Sequence, residues 1–320
     1  EADAIVLFSG GLDSLAGLEY AKNKYKNPKF VFVNNGTPKI SSFVRELQHK
    51  LQLNDNLIIF QSQPGGQFLQ QTRGFLFLSA GAVTADIFKA KKIIVAECGV
   101  TKYQPSTTFA DEITKTTHPL MVRLSKEIFS KFGIDVDIEF PFDNYTKAEI
   151  IAGSSSPSSL AESHSCRMSN FSDKSKAECG YCFGCLLKHI SLCYVTGDIQ
   201  EQFLLDPITN SSAFTTQNLG RRWKFTAKRY EPLFSLINFS KAVLSHSLPK
   251  PIAGFMEQYN TPKLFTRHAE DMIYGLMFMK QKNWVKNEKL LSILSSIEKE
   301  AWYKPDRIES RRKELLSSSY

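Results

Sequence analysis

Short apolar runs alternate with longer mixed segments over the first 140 residues. Five of these runs are rich in β-branched and aromatic residues, which is typical of buried strands. Strands that alternate with helical segments indicate βαβ units. We therefore predict an α/β fold with a doubly wound, mainly parallel sheet covered on both faces. The predicted strands are Ala4–Phe8, Lys29–Val33, Asn56–Gln61, Lys92–Glu97 and Asp135–Phe140.

Helices are predicted between these strands. The first begins near Leu15, directly after a glycine-rich turn. Ser79–Lys89 is rich in alanine and glycine, and the apolar segment Arg73–Leu78 leads into it. The spacing of apolar residues predicts two more helices, at Ser41–Leu51 and Met121–Phe132.

A capping-box pattern opens a further helix at Thr146–Ile151. Thr146 stands three residues before Glu149, so each side chain can bond the other residue's main-chain N–H. Lys147 lies in the first turn, where a cation is unfavourable for the helix dipole. This position suggests that Lys147 serves an anion.

The second half of the chain contains a cysteine-rich segment followed by a segment with helical spacing of apolar residues. A Gly/Ser/Pro-rich loop, Gly153–Ser159, marks a boundary. Ala269–Lys280 and Asn287–Ala301 carry leucine, isoleucine and methionine at helical spacing. We predict an α/β domain at 1–152, a cysteine-rich segment at 153–199 packed on it, and a helical extension at 200–320.

The turn after the first strand, Ser9–Ser14 (SGGLDS), predicts an anion site. Gly10 can adopt backbone angles that other residues avoid, and the following helix N-terminus attracts negative charge. Asp13 can cap that helix or hold a metal ion. An ordinary βα turn is the simpler alternative. In a parallel sheet, Asn34–Gly36 and Glu97–Gly99 would lie at the same edge, which is where ligands bind.

Four cysteines are spaced C-x12-C-x2-C-x2-C. Two overlapping CxxC units and a fourth upstream cysteine can close a tetrahedral site, which favours structural zinc. An iron–sulfur cluster is the main alternative, since three of these cysteines also have the spacing of cluster ligands. A closed four-thiolate site holds structure and performs no catalysis. The predicted ligands are Cys166, Cys179, Cys182 and Cys185.

Two cysteines fall outside this pattern. Cys98 ends the fourth predicted strand, where it could act as a nucleophile facing the site. A lone cysteine between alanine and glycine neighbours is more often a small buried residue, and we favour that interpretation. Cys193 lies in an apolar helical segment, and we interpret it in the same way.

Composition narrows the class of protein. Apolar residues make up 42% of the 320 residues, enough for a sizeable core, and no run of about 18 apolar residues predicts a membrane span. The formal charge of +8 suits anionic partners. Six cysteines without a secretory signal indicate a reducing, cytoplasmic location. Because the chain begins with Glu1, upstream residues are expected to be missing or replaced.

Basic residues cluster twice in the C-terminal extension. Arg221–Tyr230 interleaves cations with aromatic side chains, a pattern that binds nucleic acid or an acidic protein tail. A solvated basic face is the alternative interpretation, and we favour it slightly. Arg307–Lys313 is interpreted as the charged end of a helix.

Taken together, these motifs resemble 7-cyano-7-deazaguanine synthase (QueC), a family of N-type ATP pyrophosphatases (PP-loop enzymes). The motifs occur in the family's order: Ser9–Ser14, Arg73 to Ala80, Thr146–Ile151 and Ser165–Cys185. The resemblance frames residues 1 to about 195. It implies that the α/β domain is a PP-loop domain of the adenine nucleotide alpha hydrolase-like fold.

The resemblance also implies an activity. QueC enzymes use ATP and Mg²⁺ to adenylate the carboxylate of 7-carboxy-7-deazaguanine, and ammonia then leads to the amide and the nitrile. Asp13 would contact magnesium, while Arg73 and Lys147 would be the cationic partners of the phosphates. These three are the implied catalytic residues. The four cysteines are the implied zinc ligands and have a structural role. The implied nucleotide-binding residues are Ser9, Gly10, Gly11, Leu12, Asp13, Ser14 and Asn34.

Several segments depart from the family pattern. Gln104–Asp111 replaces a Pro-Asp-Cys segment associated with substrate binding, and Gly74 stands where asparagine is usual. Asn34–Gly36 is also atypical, and residues 200–320 have no counterpart in compact QueC enzymes. These departures resemble the divergent QueC-like proteins of bacterial anti-phage defence operons. This second resemblance leads to the hypothesis that the deazapurine is attached to a macromolecule and is not released as a nitrile.

The expected partners follow from this resemblance. The expected substrate is a 7-deazaguanine-type small molecule. The expected acceptor is a protein or a nucleic acid bound by the basic extension. A homodimer is compatible with the resemblance. The alternatives are the queuosine-pathway enzyme itself, an RNA-thiolating relative that uses Cys98, and a defence subunit that binds nucleotide without turnover.

Overall fold

The computed structural model describes residues 1–34, 38–61, 69–103, 117–166, 178–199, 203, 206–210 and 226–317. The chain divides into two compact units, residues 1–145 and 146–320. None of the described helices combines the length and the apolarity that crossing a membrane requires. The three-segment division expected from the sequence stays a prediction.

The first unit is built on a five-stranded, wholly parallel sheet with strand order β3-β2-β1-β4-β5. This arrangement confirms the predicted α/β class and parallel sheet. The strands are β1 Ala4–Leu7, β2 Pro28–Asn34, β3 Leu57–Gln61, β4 Lys92–Ile94 and β5 Asp137–Glu139. The helices are α1 Leu12–Lys24, α2 Pro38–Lys50, α3 Leu69–Phe88, α4 Gly99–Tyr103 and α5 Pro119–Lys131.

The central strand β1 is fully enclosed. It pairs with β2 on one side and with β4 on the other, so that Val6 stands between Phe30 and Ile94. Val6 and Ile94 are completely buried. Burial on both faces explains why this strand is continuously apolar and does not alternate.

Helix α3 differs from the sequence prediction. It begins at Leu69, ten residues before the predicted start at Ser79, and it includes the whole of Arg73–Leu78. In the sequence these residues resemble a segment that precedes the helix, because after Arg73 they form an unbroken apolar run without helical spacing. The helix accommodates them because it packs on two sides: Leu78 is buried in the sheet core, and Phe75 stacks on Phe129 of α5.

Gly17 allows α1 to pack closely against the end of β4. A Cβ atom at this position would lie 2.1 Å from the Cβ atom of Ala96. We expect Gly17→Ala to lower the free energy of unfolding by about 3 kcal/mol, because the helix must move off the sheet. Urea unfolding measures this loss. Gly254→Ala is the matched control, since nothing lies within 4 Å of its Cβ position. Equal effects of the two variants would contradict this account.

The second unit is helical in its described part. Its helices are α6 Lys147–Gly153, α7 Phe183–Thr196, α8 Thr226–Leu244, α9 Lys250–Gln258, α10 Pro262–Gln281, α11 Glu288–Ile297 and α12 Arg307–Leu316. Helix α10 packs against α7, α8 and α12. Met272, Ile273, Leu276 and Met279 are all buried, which confirms the core stripe predicted for this helix.

The basic run Arg307–Lys313, interpreted as the charged end of a helix, forms the first turns of α12, but one of its cations lies inside the unit. Arg311 is buried, and its guanidinium donates to Asp271 (Nε–Oδ1 2.8 Å) and to Glu149 (Nη2–Oε1 2.8 Å). Glu149 also accepts from Arg267 Nε at 2.7 Å. Thr146 Oγ1 donates to the second oxygen of Asp271. Helix α12 is therefore tied to α6 and α10 by a buried ionic network.

This network predicts a stability loss that depends on pH. Burial raises the pKa of Asp271 to about 6, although Arg311 opposes the shift. Arg311→Met leaves the Asp271 carboxylate without its cation, which should cost about 3–5 kcal/mol at neutral pH. The pKa of Asp271 then rises further, so protonation relieves the penalty at low pH. The deficit relative to the wild type should therefore grow from about pH 5 to about pH 8 in denaturant titrations.

Arg312→Met is the matched control for this prediction. Arg312 donates to the main-chain oxygens of Tyr194 and Val195 and lies over the Phe278 ring, so these contacts involve no titrating group. Its removal should cost stability by an amount that does not change with pH. A pH-independent deficit in Arg311→Met would contradict the network account.

Candidate functional site

The sheet order predicts a crevice at the ends of two adjacent strands. Strands β1 and β4 are neighbours, and the chain leaves β1 towards β2 but leaves β4 towards β5. In open parallel sheets, ligands bind at the carboxyl ends of the strands where the connections diverge in this way. The segments that follow these two strands are Ser9–Ser14 and Val95–Gly99.

The Ser9–Ser14 loop closes around one hydroxyl group. Ser14 is buried, and its Oγ accepts from both the main-chain N–H and the Oγ of Ser9, each at 3.2 Å. Ser14 Oγ in turn donates to the main-chain oxygen of Gly11 at 2.9 Å. Gly10 makes the turn possible with φ of 77°, a conformation that side chains disfavour. The loop therefore has a defined shape that its own hydroxyls maintain.

Asp13 connects this loop to the end of β4. Its Oδ2 accepts from the main-chain N–H of Cys98 at 3.3 Å. Cys98 is held in place by a contact of its sulfur with Thr101 Oγ1 at 2.8 Å, and the N–H of Gly99 donates to Phe142 O at 2.9 Å. The carboxylate thus lies at the divergence point of the sheet, with a fixed orientation.

The crevice suits an anionic ligand. Helix α1 starts directly in the loop, and its N-cap residue Gly11 supplies no side chain that could occupy the helix N-terminus. Helix N-termini attract phosphate groups through their N–H dipoles. Ser9 is exposed, and Gly11 and Asp13 are half-buried, so the loop can be reached from solvent. The N–H of Gly11 donates to Ser9 Oγ at 3.3 Å, so the loop also fits the simpler alternative of an ordinary βα turn with a serine cap.

Two other predicted residues lie in the first unit. Asn34 ends β2 at the same edge of the sheet, and its Nδ2 donates to Gln61 Oε1 at 2.8 Å. Arg73 is half-buried near the start of α3, with its guanidinium 5.8 Å from the centre of the Phe77 ring. A helix that follows a parallel strand begins at the carboxyl edge, so Arg73 belongs to that side of the sheet. A phosphate contact for either residue stays a prediction.

Lys147 belongs to the second unit. It lies in the first turn of α6, where the predicted capping box is present: Thr146 Oγ1 accepts from the N–H of Glu149, and Glu149 accepts from the N–H of Thr146. Lys147 is buried, and its charge adds to burial in lowering the pKa of His268 to about 3. Its role towards an anion stays a prediction.

Sequence reasoning missed a clamp that holds α4. Lys102 is buried, and its Nζ lies 2.7 Å from Asp143 Oδ1 and 3.7 Å from the centre of the Phe140 ring. Tyr103 donates its hydroxyl to Asp143 Oδ2 at 3.0 Å. The clamp fixes the helix that follows Cys98, and hence the amide that bonds Asp13. Its residues are about 40 positions apart and share no motif that could have revealed them.

The four predicted metal ligands meet in the second unit. Their Sγ atoms all lie within 4.8 Å of one another, and the cluster is largely buried. The Cys182 and Cys185 sulfurs are 3.4 Å apart, and those of Cys179 and Cys185 are 3.8 Å apart. Four sulfurs at about 2.3 Å from a single ion would be separated by about 3.8 Å, so the cluster fits one tetrahedral ion. An iron–sulfur cluster would need wider spacing, because each cysteine binds a different iron.

Main-chain geometry supports the same cluster. The N–H of Cys182 points to the sulfur of Cys179 at 3.3 Å, and the N–H of Cys179 points to the sulfur of Cys166 at 3.3 Å. Gly180, with φ of 83°, makes the turn between the first two ligands of the CxxC unit. Such N–H donors stabilise thiolates that ligate a metal. The donor set and its environment therefore fit zinc.

A buried ion pair anchors the loop that carries these ligands. Lys188 Nζ lies 2.7 Å from Glu178 Oε2 and also bonds the main-chain oxygen of Ser163. Glu178 accepts in turn from the N–H of Ser165. Gly184 completes the fit, since a Cβ there would lie 2.7 Å from the oxygen of Ser165. Lys188 and Gly184 of α7 thus hold the segments that carry these ligands.

Cys98 and Cys193 are both completely buried, which agrees with their interpretation as small core residues. None of the chain's six cysteines, all of which lie in the described part, forms a disulfide. Gln104–Asp111 and the basic residues Arg221–Phe225 lie outside the described residues. Neither the models of known protein families nor the curated proteins give a match to this chain.

Proposed function

We propose that the chain is a PP-loop ATP pyrophosphatase that forms AMP and pyrophosphate while activating a carboxylate. The Asp13–Cys98 bond at the divergence of β1 and β4 carries this proposal. It joins a helix N-terminus with glycine at the N-cap, two serine hydroxyls and an oriented carboxylate at the edge of the sheet where ligands bind.

The residues of the loop would act on the leaving group. An oxygen of the substrate carboxylate attacks the α-phosphorus of ATP, the new O–P bond forms, and the bond to pyrophosphate breaks. The hydroxyl of Ser9 and the first N–H groups of α1 would hold the pyrophosphate as its charge develops. Asp13 would hold Mg²⁺, which supplies further charge neutralisation when bound. Arg73 would add a cation from α3.

The proposed substrate is the carboxylate of 7-carboxy-7-deazaguanine. The motif order Ser9–Ser14, Arg73–Ala80, Thr146–Ile151 and Ser165–Cys185 supports it through resemblance to QueC enzymes. Ammonia, or an amine of an acceptor, would displace AMP from the acyl-adenylate and form an amide. The four-cysteine site, with zinc, would hold the fold of the second unit and take no part in this chemistry.

We place this activity in the cytoplasm and in anti-phage defence. The replaced segment Gln104–Asp111 and the basic stretch Arg221–Tyr230 support conjugation to a protein or nucleic-acid acceptor over release of a free nitrile. The queuosine-pathway reaction is the alternative within the same chemistry. RNA thiolation is less well supported, because the sulfur of Cys98 is completely buried and contacts Thr101.

The test is isotope exchange between pyrophosphate and ATP. The full chain, with Mg²⁺ and zinc, should catalyse exchange only when 7-carboxy-7-deazaguanine is present. Guanine and 7-deazaguanine, which lack the carboxylate, serve as matched controls and should give none. Exchange without any carboxylate, or none under all conditions, would contradict the proposal.

Mass analysis then identifies the acceptor. Incubation with ATP, 7-carboxy-7-deazaguanine and ammonia is compared with incubation with co-purifying macromolecules. A mass increase on a macromolecule supports conjugation, whereas free nitrile as the sole product supports the queuosine-pathway alternative.

A further inference from the structure

A carboxylate that the candidate nucleotide site does not use lies directly beside that site. Glu97 follows β4 at the carboxyl edge of the sheet, two residues after Val95, whose N–H still donates to Glu139 O of β5 at 2.9 Å. The N–H of Glu97 donates to Val95 O at 3.0 Å, so the chain turns out of the sheet at this point. Glu97 is half-buried and therefore remains accessible to a ligand.

Covalent geometry fixes the distance of Glu97 from Asp13. Glu97 directly precedes Cys98, whose main-chain N–H donates to Asp13 Oδ2 at 3.3 Å. Only two bonds, of about 1.3 and 1.5 Å, separate that nitrogen from the Cα atom of Glu97. This Cα atom therefore lies within about 6 Å of the Asp13 carboxylate. Glu97 belongs to the immediate surroundings of the candidate nucleotide site.

A buried hydroxyl holds the side chain of Glu97. Thr117 Oγ1 donates to Glu97 Oε2. Thr117 is buried and directly precedes His118, the N-cap residue of α5. Because α5 leads from β4 back to the start of the parallel strand β5, its N-terminus lies at the carboxyl edge of the sheet. The carboxylate of Glu97 is thus held at the edge where ligands bind.

The charge of Glu97 restricts the kind of ligand that it can bind. Like charges repel at short range, so this carboxylate does not suit the phosphates of ATP. A carboxylate is an acceptor with two lone pairs on each oxygen, so Oε2 can accept from Thr117 and from a ligand at the same time. The ligand group that matches both oxygens is a pair of adjacent N–H donors, as in the bidentate pairs that carboxylates form with arginine.

We propose that Glu97 selects the substrate by accepting hydrogen bonds from the N1–H and the 2-amino group of a guanine-like ring. This inference rests on the proposed function, which supplies a 7-deazaguanine carboxylate as the substrate. The two donors lie side by side on the six-membered ring, whereas the reacting carboxylate is on the five-membered ring. An adenine-like ring has an acceptor at N1 and is therefore rejected. Holding one end of the rigid bicycle also orients the carboxylate at its other end.

Calorimetric titration of the full chain tests this contact without relying on catalysis. The two ligands are 7-carboxy-7-deazaguanine and 7-carboxy-7-deazahypoxanthine, which lacks only the 2-amino group. The wild type should bind the first about 10- to 100-fold more tightly, as expected for one bidentate pair. Glu97→Gln should bind the first ligand more weakly by a similar factor and lose most of the preference. The amide has only one acceptor oxygen and turns an NH₂ group towards the donors of the ring.

Two further variants serve as controls for the titration. Glu127→Gln makes the same exchange on α5, where the side chain is 61% exposed, and should bind both ligands as the wild type does. Thr117→Val keeps the carboxylate but removes the hydroxyl that holds it, so it should lose part of the preference. Equal affinity of the wild type for both ligands, or an unchanged preference in Glu97→Gln, overturns the inference. Urea unfolding of each variant shows that folding is intact.

Pyrophosphate exchange separates this inference from the proposed function. In Glu97→Gln the KM for 7-carboxy-7-deazaguanine should rise about 10- to 100-fold, whereas the KM for ATP and the Mg²⁺ requirement should not change. A Glu97-dependent base preference without any exchange would support the inference and contradict the proposed activity. Exchange without such a preference would do the reverse. A raised Mg²⁺ requirement with an unchanged base preference would make Glu97 a metal ligand and overturn the inference.

Discussion

Cys182→Ser should abolish the zinc binding expected at the four-cysteine cluster and strongly destabilise the second unit. The four sulfurs surround one tetrahedral position, and a serine hydroxyl is a poor replacement for a thiolate ligand. In small zinc domains the ion contributes about 10–16 kcal/mol to folding, and a larger unit with its own core should lose only part of that. We expect the metal content to fall from one zinc per chain to almost none, and the melting temperature to drop by at least about 10 °C.

Cys193→Ser is the matched control for this variant. Cys193 is completely buried in α7 but does not belong to the cluster, so its substitution tests the loss of a core thiol without loss of a ligand. Elemental analysis measures the zinc, and thermal unfolding with and without a chelator measures its effect on stability. Full zinc content in Cys182→Ser, or a chelator-insensitive wild type, would contradict the assignment. If elemental analysis found iron and the protein absorbed visible light, the site would hold the alternative iron–sulfur cluster.

The parts of the fold that could be predicted are those that local sequence determines. The strands were identifiable because burial on both faces makes Ala4–Leu7 and its neighbours continuously apolar. The capping box at Thr146 was identifiable because both partners lie within one turn. The four clustered cysteines were identifiable because three of them share one short segment, Cys179–Cys185.

Long-range pairing explains what the sequence could not reveal. The burial of Arg311 could not be predicted, because a strongly charged helix favours exposed cations and its partners Asp271 and Glu149 lie 40 and 162 residues away. The early start of α3 was missed because an apolar run at Arg73–Leu78 has no helical period, and only packing on two sides makes it helical. In each case the deciding contact is tertiary.

In the candidate nucleotide site, too, the local motif could be predicted and the tertiary contact could not. The Ser9–Ser14 motif was visible in the sequence, together with its glycine turn. The bond from the Cys98 N–H to Asp13, 85 residues away, was not, because a main-chain donor leaves no trace in residue identity. The sequence draws notice to the sulfur of Cys98 as a possible nucleophile, but that sulfur is buried. The main-chain N–H of Cys98 is the group that reaches the loop.

Asp13→Asn should abolish most of the proposed pyrophosphate exchange while leaving the fold intact. The asparagine retains an oxygen that can accept from the Cys98 N–H, so the loop keeps its contact with the end of β4. It loses the negative charge that would hold Mg²⁺ beside the phosphates. We expect exchange to fall by at least about 1,000-fold, comparable to the loss of a group that stabilises developing charge.

Asp3→Asn is a stringent control, because Asp3 also accepts main-chain hydrogen bonds. Its Oδ2 accepts from the N–H groups of Lys26 at 2.9 Å and Asn27 at 3.1 Å, at the amino end of β1, away from the crevice. Both substitutions thus exchange a carboxylate for an amide on the same strand–helix unit. Exchange should survive in Asp3→Asn and fail in Asp13→Asn, with similar urea unfolding curves. If Asp13→Asn retained wild-type exchange, the carboxylate would have only a structural role, and the activity would have to lie elsewhere in the chain.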